Sequence, residues 1–162
     1  MALAVATAVG VGYVPIAPGT FGSLVGLVLW AVLPASLAVQ MVAIGAVFVV
    51  GSWSAGVAER HFARTDPSHV VIDEVLGILM TLFLNPVRWP GAILGFLLFR
   101  VADVIKPFPA NRLDRLPGGL GVMADDAMAA IYANLALRFC IWSSSHLGAW
   151  SLIVQSTHPL TR

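Results

Sequence analysis

Two pairs of adjacent acids, Asp73-Glu74 and Asp125-Asp126, stand in runs that are otherwise apolar. Neighbouring residues on a helix point about 100° apart, so at least one member of each pair must turn toward the interior of a helix bundle. An ionised carboxylate at membrane depth normally has a partner. Two such pairs point to a shared cation, and carboxylate oxygens suit Mg²⁺, Mn²⁺ or Ca²⁺ rather than a soft metal. Asp73, Glu74, Asp125 and Asp126 are therefore the candidate metal ligands. Capping of a helix N-terminus is the plainer alternative. It suits Asp125, near the start of its segment, better than Asp73 and Glu74, which three apolar residues precede.

Two further stretches could handle a phosphate. In "APGTFGS", Ala17 to Ser23, Pro18 and Gly19 make a turn and Thr20 can cap the helix that follows. The free amides of such an end form an anion site. That makes the turn a candidate anion site, against the alternative of an ordinary capped helix start. The stretch is not a Walker A loop, because no GK[ST] follows. In "RVADVIKPFPANRLDR", Asp103 and Lys106 are three apart and would share a helix face until Pro107 ends the helix. Lys106, followed by Arg112 and Arg115, reads either as a patch for anionic headgroups or as cations that neutralise a substrate phosphate.

The elements that must position these residues are apolar helices. The chain has 162 residues, 59% hydrophobic and only 10% charged, with a mean hydropathy of +0.89. A soluble domain is about 25% charged, and a chain this short could not hide so much apolar surface from water. The expectation is a single all-α domain over residues 1–162, an integral membrane bundle of about four to six helices. Period-2 alternation is absent, so a barrel is not expected. Residues 37–58 carry no charge over 22 residues, enough to span a bilayer. The runs 20–33, 70–84 and 91–102 are shorter, so some helices are expected to be short or re-entrant. Residues 122–142 form the last strong segment, residues 1–17 a short helix or interfacial segment, and residues 143–162 a peripheral tail. Gly22/Gly26 and Gly91/Gly95 are small-xxx-small patterns that permit close helix contact.

The charges set an orientation. If each segment crosses, one side carries Arg60, Arg64, Arg100, Lys106, Arg112 and Arg115, and the other Arg88 and Arg138. Six against two assigns the first side to the cytoplasm. All eight acids fall on that side: Glu59, Asp66, Asp73, Glu74, Asp103, Asp114, Asp125 and Asp126. Cys140 is alone, which excludes an internal disulfide and a cysteine metal cluster. A C-x5-R phosphatase site is excluded too. Cys140 reads as packing, and His61 and His69 as solvent-facing.

The stretches "GYVPIAPGTFGSLVGLVLW", "DPSHVVIDEVLGILMTL", "FRVADVIKPFP" and "GGLGVMADDAMAAIYANL" resemble, in order over roughly residues 7–137, the phosphatidylglycerophosphatase A family. The resemblance implies a membrane-bound, Mg²⁺-dependent lipid phosphatase that hydrolyses phosphatidylglycerophosphate to phosphatidylglycerol and inorganic phosphate. Carried over by position, the signature residues are Pro18, Gly19, Thr20, Gly22, Ser23, Asp66, Asp73, Glu74, Asp103, Lys106, Pro107, Gly118, Gly119, Gly121, Asp125 and Asp126. His69 stands where an apolar residue is expected, and the tail beyond about Ser143 matches nothing in the family pattern.

The expected catalytic group is Asp73, Glu74, Asp103, Lys106, Asp125 and Asp126. The residues Gly19, Thr20, Gly22, Ser23, Lys106 and Arg112 would grip the phosphate. The expected partners are a phospholipid in the bilayer and the membrane itself, with no nucleic acid; the oligomeric state is left open. The expected location is the bacterial cytoplasmic membrane, with the site on its cytoplasmic face. Three rivals stand beside this reading. One is a broader lipid phosphate phosphatase, acting for example on phosphatidic acid. Another is a CDP-alcohol phosphotransferase, whose D-G-x2-A-R motif is absent. The third is a small cation transporter, which calls for acids near midmembrane.

Overall fold

A computed structural model describes residues 1–106, 108, 110–113 and 116–146. Pro107, Asp114, Arg115 and the tail from 147 onward lie outside the described residues. The elements are α1 (Ala2–Ala6), a 3-10 turn (Val11–Tyr13), α2 (Pro18–Val32), α3 (Leu37–Phe62), α4 (Ile72–Leu82), α5 (Trp89–Ile105), α6 (Ala110–Leu113) and α7 (Gly119–His146). Among the described residues the fold is all-helical. Residues 143–146, expected to begin a tail, continue α7.

Helices α3 and α7 are long and apolar enough to cross a membrane. Helices α2, α4 and α5 have 15, 11 and 17 residues. At 1.5 Å per residue each falls short of a roughly 30 Å hydrocarbon core. The outward faces are apolar stripes at three- and four-residue spacing. Ile93, Leu97, Val101 and Val104 are exposed along α5, and Ile131, Leu135, Phe139 and Trp142 along α7. Such stripes are a penalty in water and a fit to lipid.

Helix α4 is the hub. Eight of its eleven residues are buried, and it packs on α2, α3, α5 and α7. Small residues allow the approach. A Cβ added at Gly22 or Gly26 of α2 would meet the Cβ of Val71 at 2.7 Å or of Ile78 at 2.9 Å. Both are closer than side chains tolerate, so the close-contact reading of that glycine pair holds. Phe99 of α5 lies over Gly77, where a Cβ would collide with its ring. Gly119 opens α7 against the backbone of Ser52 and Gly56 in α3.

The N-terminal segment sets where α4 begins. Val71 N–H donates to the Ala6 carbonyl at 2.9 Å, and Val70 N–H to the Pro67 carbonyl at 2.8 Å. The His69 ring stacks on Phe62, centroids 4.8 Å apart and planes 14° from parallel. His69 is thus half-buried rather than solvent-facing, while His61 is exposed. These contacts hold residues 70 and 71 out of the helix, so α4 starts at Ile72 rather than Val70. At its other end, Asn134 of α7 reaches the last carbonyls of α4. Its Nδ2 lies 3.0 Å from Met80 O, 2.9 Å from Thr81 O and 2.9 Å from Phe83 O.

Candidate active site

The later start of α4 puts Asp73 and Glu74 in its first turn. The positive end of the helix favours acids there, yet these are not solvated caps. Asp73 is buried and Glu74 largely so, and the N-cap itself, Val71, has no side-chain cap bond. Asp125 and Asp126 are also buried. Helix α7 begins at Gly119, so this pair sits in its second turn, beyond the orphan amides. Capping therefore explains neither pair.

One carboxylate oxygen from each of Asp73, Glu74 and Asp126 lies within 4.8 Å of the other two. Asp73 Oδ1, Glu74 Oε2 and Asp126 Oδ2 are buried without a hydrogen-bond donor. Burying a charged group without a partner is among the most expensive arrangements in a protein. Three converging carboxylates, each with an oxygen that lacks a donor, fit a hard cation, and the oxygen-only set fits one that prefers carboxylates. The residues present therefore suit a divalent metal. Asp125 is placed differently: its Oδ2 accepts from Lys106 Nζ.

Lys106 caps α5 with φ +46°, a left-handed conformation that ends the helix and turns the residue toward α7. Nearly two turns earlier, Arg100 Nη1 donates to Asp103 Oδ2 at 2.7 Å and stands 3.7 Å from Glu74 Oε1. The starts of α2, α4 and α7 and the end of α5 thus enclose one cleft of about 210 Å³. Its walls carry Asp66, Asp73, Glu74, Asp103, Asp125 and Asp126 against Arg100 and Lys106. Drug-sized ligands occupy roughly 300–1,000 Å³, so this cleft has room for a headgroup and not for acyl chains.

The phosphate candidates divide. Gly19 lines the cleft with Ala17 and Pro18, and a Cβ there would collide with Glu74 Oε1. Any larger residue there would have to push the carboxylate aside. Thr20 caps nothing: the N-cap of α2 is Ala17, in a left-handed conformation with φ +49° and no side-chain bond. Thr20 follows two positions inside the helix, away from the cleft lining. Gly22 spends its missing side chain on contact with Val71. Ser23 is buried and its Oγ donates to the Gly19 carbonyl at 2.9 Å, bracing that turn. Arg112 is exposed and lies 4.8 Å over the Phe108 ring, outside the cleft lining.

Arg100 was not among the expected site residues. Its signal was present in the sequence: a lone cation closing the apolar run Gly91–Phe99, one turn before Asp103. Ser68 also lines the cleft, and no spacing pointed to it.

Comparison with known proteins adds an independent line. Residues 4–141 match the family model described as Phosphatidylglycerophosphatase A. A protein of Bacteroides thetaiotaomicron named "Putative phosphatidylinositol-3-phosphatase" is 33% identical over 147 residues, 85% of this chain and 92% of its own. The Phosphatidylglycerophosphatase A of Haemophilus influenzae is 35% identical over 132 residues, 79% of this chain and 81% of its own. That of Escherichia coli is 33% identical over 135 residues, 80% of this chain and 77% of its own. No solved structure matches significantly.

Proposed function

The chain belongs to the phosphatidylglycerophosphatase A family, and from that premise we propose that it hydrolyses phosphatidylglycerophosphate to phosphatidylglycerol and inorganic phosphate. The observation that carries the reading is the convergence of Asp73, Glu74 and Asp126 within 4.8 Å, beside two cations in a headgroup-sized cleft. We take the metal to be Mg²⁺, the hard cation that commonly serves phosphate chemistry. Bound by those three acids, it would neutralise phosphate oxygens and provide a readily deprotonated water.

The chain's own residues do the rest. Asp125 holds the Lys106 ammonium at the cleft wall, where it meets the phosphate as a point charge. The Gly19 turn, braced by Ser23, brings the amides at the start of α2 to the same place. The buried flanks of α4 and α7 keep bulk water out, which strengthens every charge interaction inside. Hydrolysis joins a water oxygen to phosphorus and releases the glycerol oxygen, which leaves protonated as the alcohol. A DxDx[TV] run is absent from the sequence, so direct attack by water is favoured over an aspartyl-phosphate.

The Lys and Arg excess on the cleft side supports a cytoplasmic site in a multi-pass bacterial inner-membrane protein. The exposed apolar stripes would hold the acyl chains' neighbourhood while the headgroup enters the cleft. The test is phosphate release by purified protein with Mg²⁺, across phosphatidylglycerophosphate, phosphatidic acid and phosphatidylinositol 3-phosphate. The fastest release is expected from phosphatidylglycerophosphate. Equal rates on all three would widen the activity to lipid phosphates generally, and no release from any would end the phosphatase reading.

A further inference from the structure

Arg100 is expensive where it stands. It follows the apolar run from Gly91 to Phe99 and lines a cleft between helices, and a cation in such a place is normally tied to a partner or a ligand. Its ties engage one nitrogen only. Nη1 donates to Asp103 Oδ2 at 2.7 Å and pairs with Glu74 Oε1 at 3.7 Å. The first turn of α2 closes the same side, since a Cβ at Gly19 would sit 3.1 Å from that Nη1. Among the described residues, no hydrogen bond engages Nε or Nη2. Those two nitrogens form one edge of the planar guanidinium, the edge that takes two oxygens of a phosphate in parallel.

Charge points the same way. Six acids and two cations line the cleft, so a divalent ion alone leaves it negative and hostile to a dianionic phosphate. Lys106 has its ammonium on Asp125. The guanidinium has a whole edge uncommitted, with Nη1 already anchored on Asp103 beside Glu74.

We infer that Arg100 binds the substrate's terminal phosphate through Nε and Nη2, while Nη1 stays on Asp103. This rests on the lipid phosphatase reading and adds a substrate-contacting residue to it. Asp103 becomes the positioning residue for that fork. Its carboxylate would then act through Arg100 rather than on the reacting atoms.

The test uses full-length protein in micelles with Mg²⁺ and two variants, Arg100→Lys and Arg100→Gln. Lysine keeps the charge and can still reach Asp103, but it has no fork. Orthovanadate, a phosphate-shaped oxyanion, is the probe, titrated by calorimetry and as an inhibitor. Mn²⁺ binding by electron paramagnetic resonance reports the metal site and the fold. Arg100→Lys is expected to weaken vanadate about tenfold, the size of one charge-assisted hydrogen bond. KM should rise with it, Arg100→Gln should lose more, and Mn²⁺ affinity should stay within about threefold. Unchanged vanadate affinity overturns the inference. So does a parallel fall in Mn²⁺ affinity, which would make Arg100 a brace for the metal acids. Wild-type protein that releases no phosphate would instead remove the activity itself, a separate result.

Discussion

The two ends of α4 rest against the same neighbour, α7, and are finished in opposite ways. At the C-terminal end, the Asn134 amide lies within 3.0 Å of three carbonyls, and Arg138 Nε donates to Asn134 Oδ1 at 2.8 Å to hold it there. Asn85 Nδ2 adds a bond to the Thr81 carbonyl at 3.0 Å. Thr81 Oγ1 is left over, but it is a neutral hydroxyl with a burial penalty of about 1–3 kcal/mol. At the N-terminal end, Asp73, Glu74 and Asp126 each bring a carboxylate oxygen within 4.8 Å of the other two, and each has a buried oxygen without a hydrogen-bond partner. At the C-terminal end the fold commits the two N–H donors of a polar side chain to the carbonyls. The difference teaches that the capped end is closed by the chain's own side chains, while the acidic end has the form of a site that could hold a cation.

The comparison can be broken most forcefully by removing the metal. Excess EDTA is expected to take phosphate release to background and Mg²⁺ to restore it; turnover that ignores EDTA would mean the acidic end needs no cation. Next comes Asp126→Asn, which keeps shape and drops one ligand charge. A loss of about 100-fold or more in rate is expected, at the upper end of what disturbing a metal site costs, with the protein still membrane-inserted. Wild-type turnover would take Asp126 out of the site.

The capped end should answer with stability before activity. Asn134→Ala is expected to lower stability in micelles by about 0.6–1.7 kcal/mol, the range of one interhelical hydrogen bond in a membrane. The turnover of the folded fraction should fall less than tenfold. A variant of unchanged melting temperature and hundredfold lower turnover would make Asn134 part of the chemistry. The smallest effect has the opposite sign. In metal-free protein, Asp73→Asn relieves repulsion among the three acids and is expected to raise the melting midpoint by about 2–4 °C, a gain near 1 kcal/mol. A lower midpoint would show that Asp73 is a structural acid, and the two ends would no longer differ in kind.

Much of the site was written in residue types. Paired acids inside apolar runs are conspicuous because lipid and packed protein both penalise them. Asp103 and Lys106 announced themselves by spacing. The helices were legible for the same reason, since uncharged runs in a chain this apolar have few other uses. The helix boundaries were not. Residues 70 and 71 are as apolar as those after them, and tertiary contacts such as the backbone bonds to Ala6 and Pro67 keep them out of α4. Thr20 matched a capping residue in type, and the helix began two residues before it.

By itself the sequence determined the all-helical class, the apolar exterior and the residue types that meet in the cleft, because each follows from local composition and periodicity. Tertiary structure alone decided which carboxylates converge. Asp73, Glu74 and Asp126 come together while Asp125 turns to Lys106, a division between adjacent residues that no spacing encodes. It also decided that Gly22 and Ser23 serve packing and bracing while Gly19 meets the cleft, and that Arg100 joins them. The physical reason is that these outcomes depend on the rotation of one helix against another. Contacts far apart in sequence set that rotation: Gly26 on Ile78, Phe99 over Gly77, and Asn134 on the end of α4.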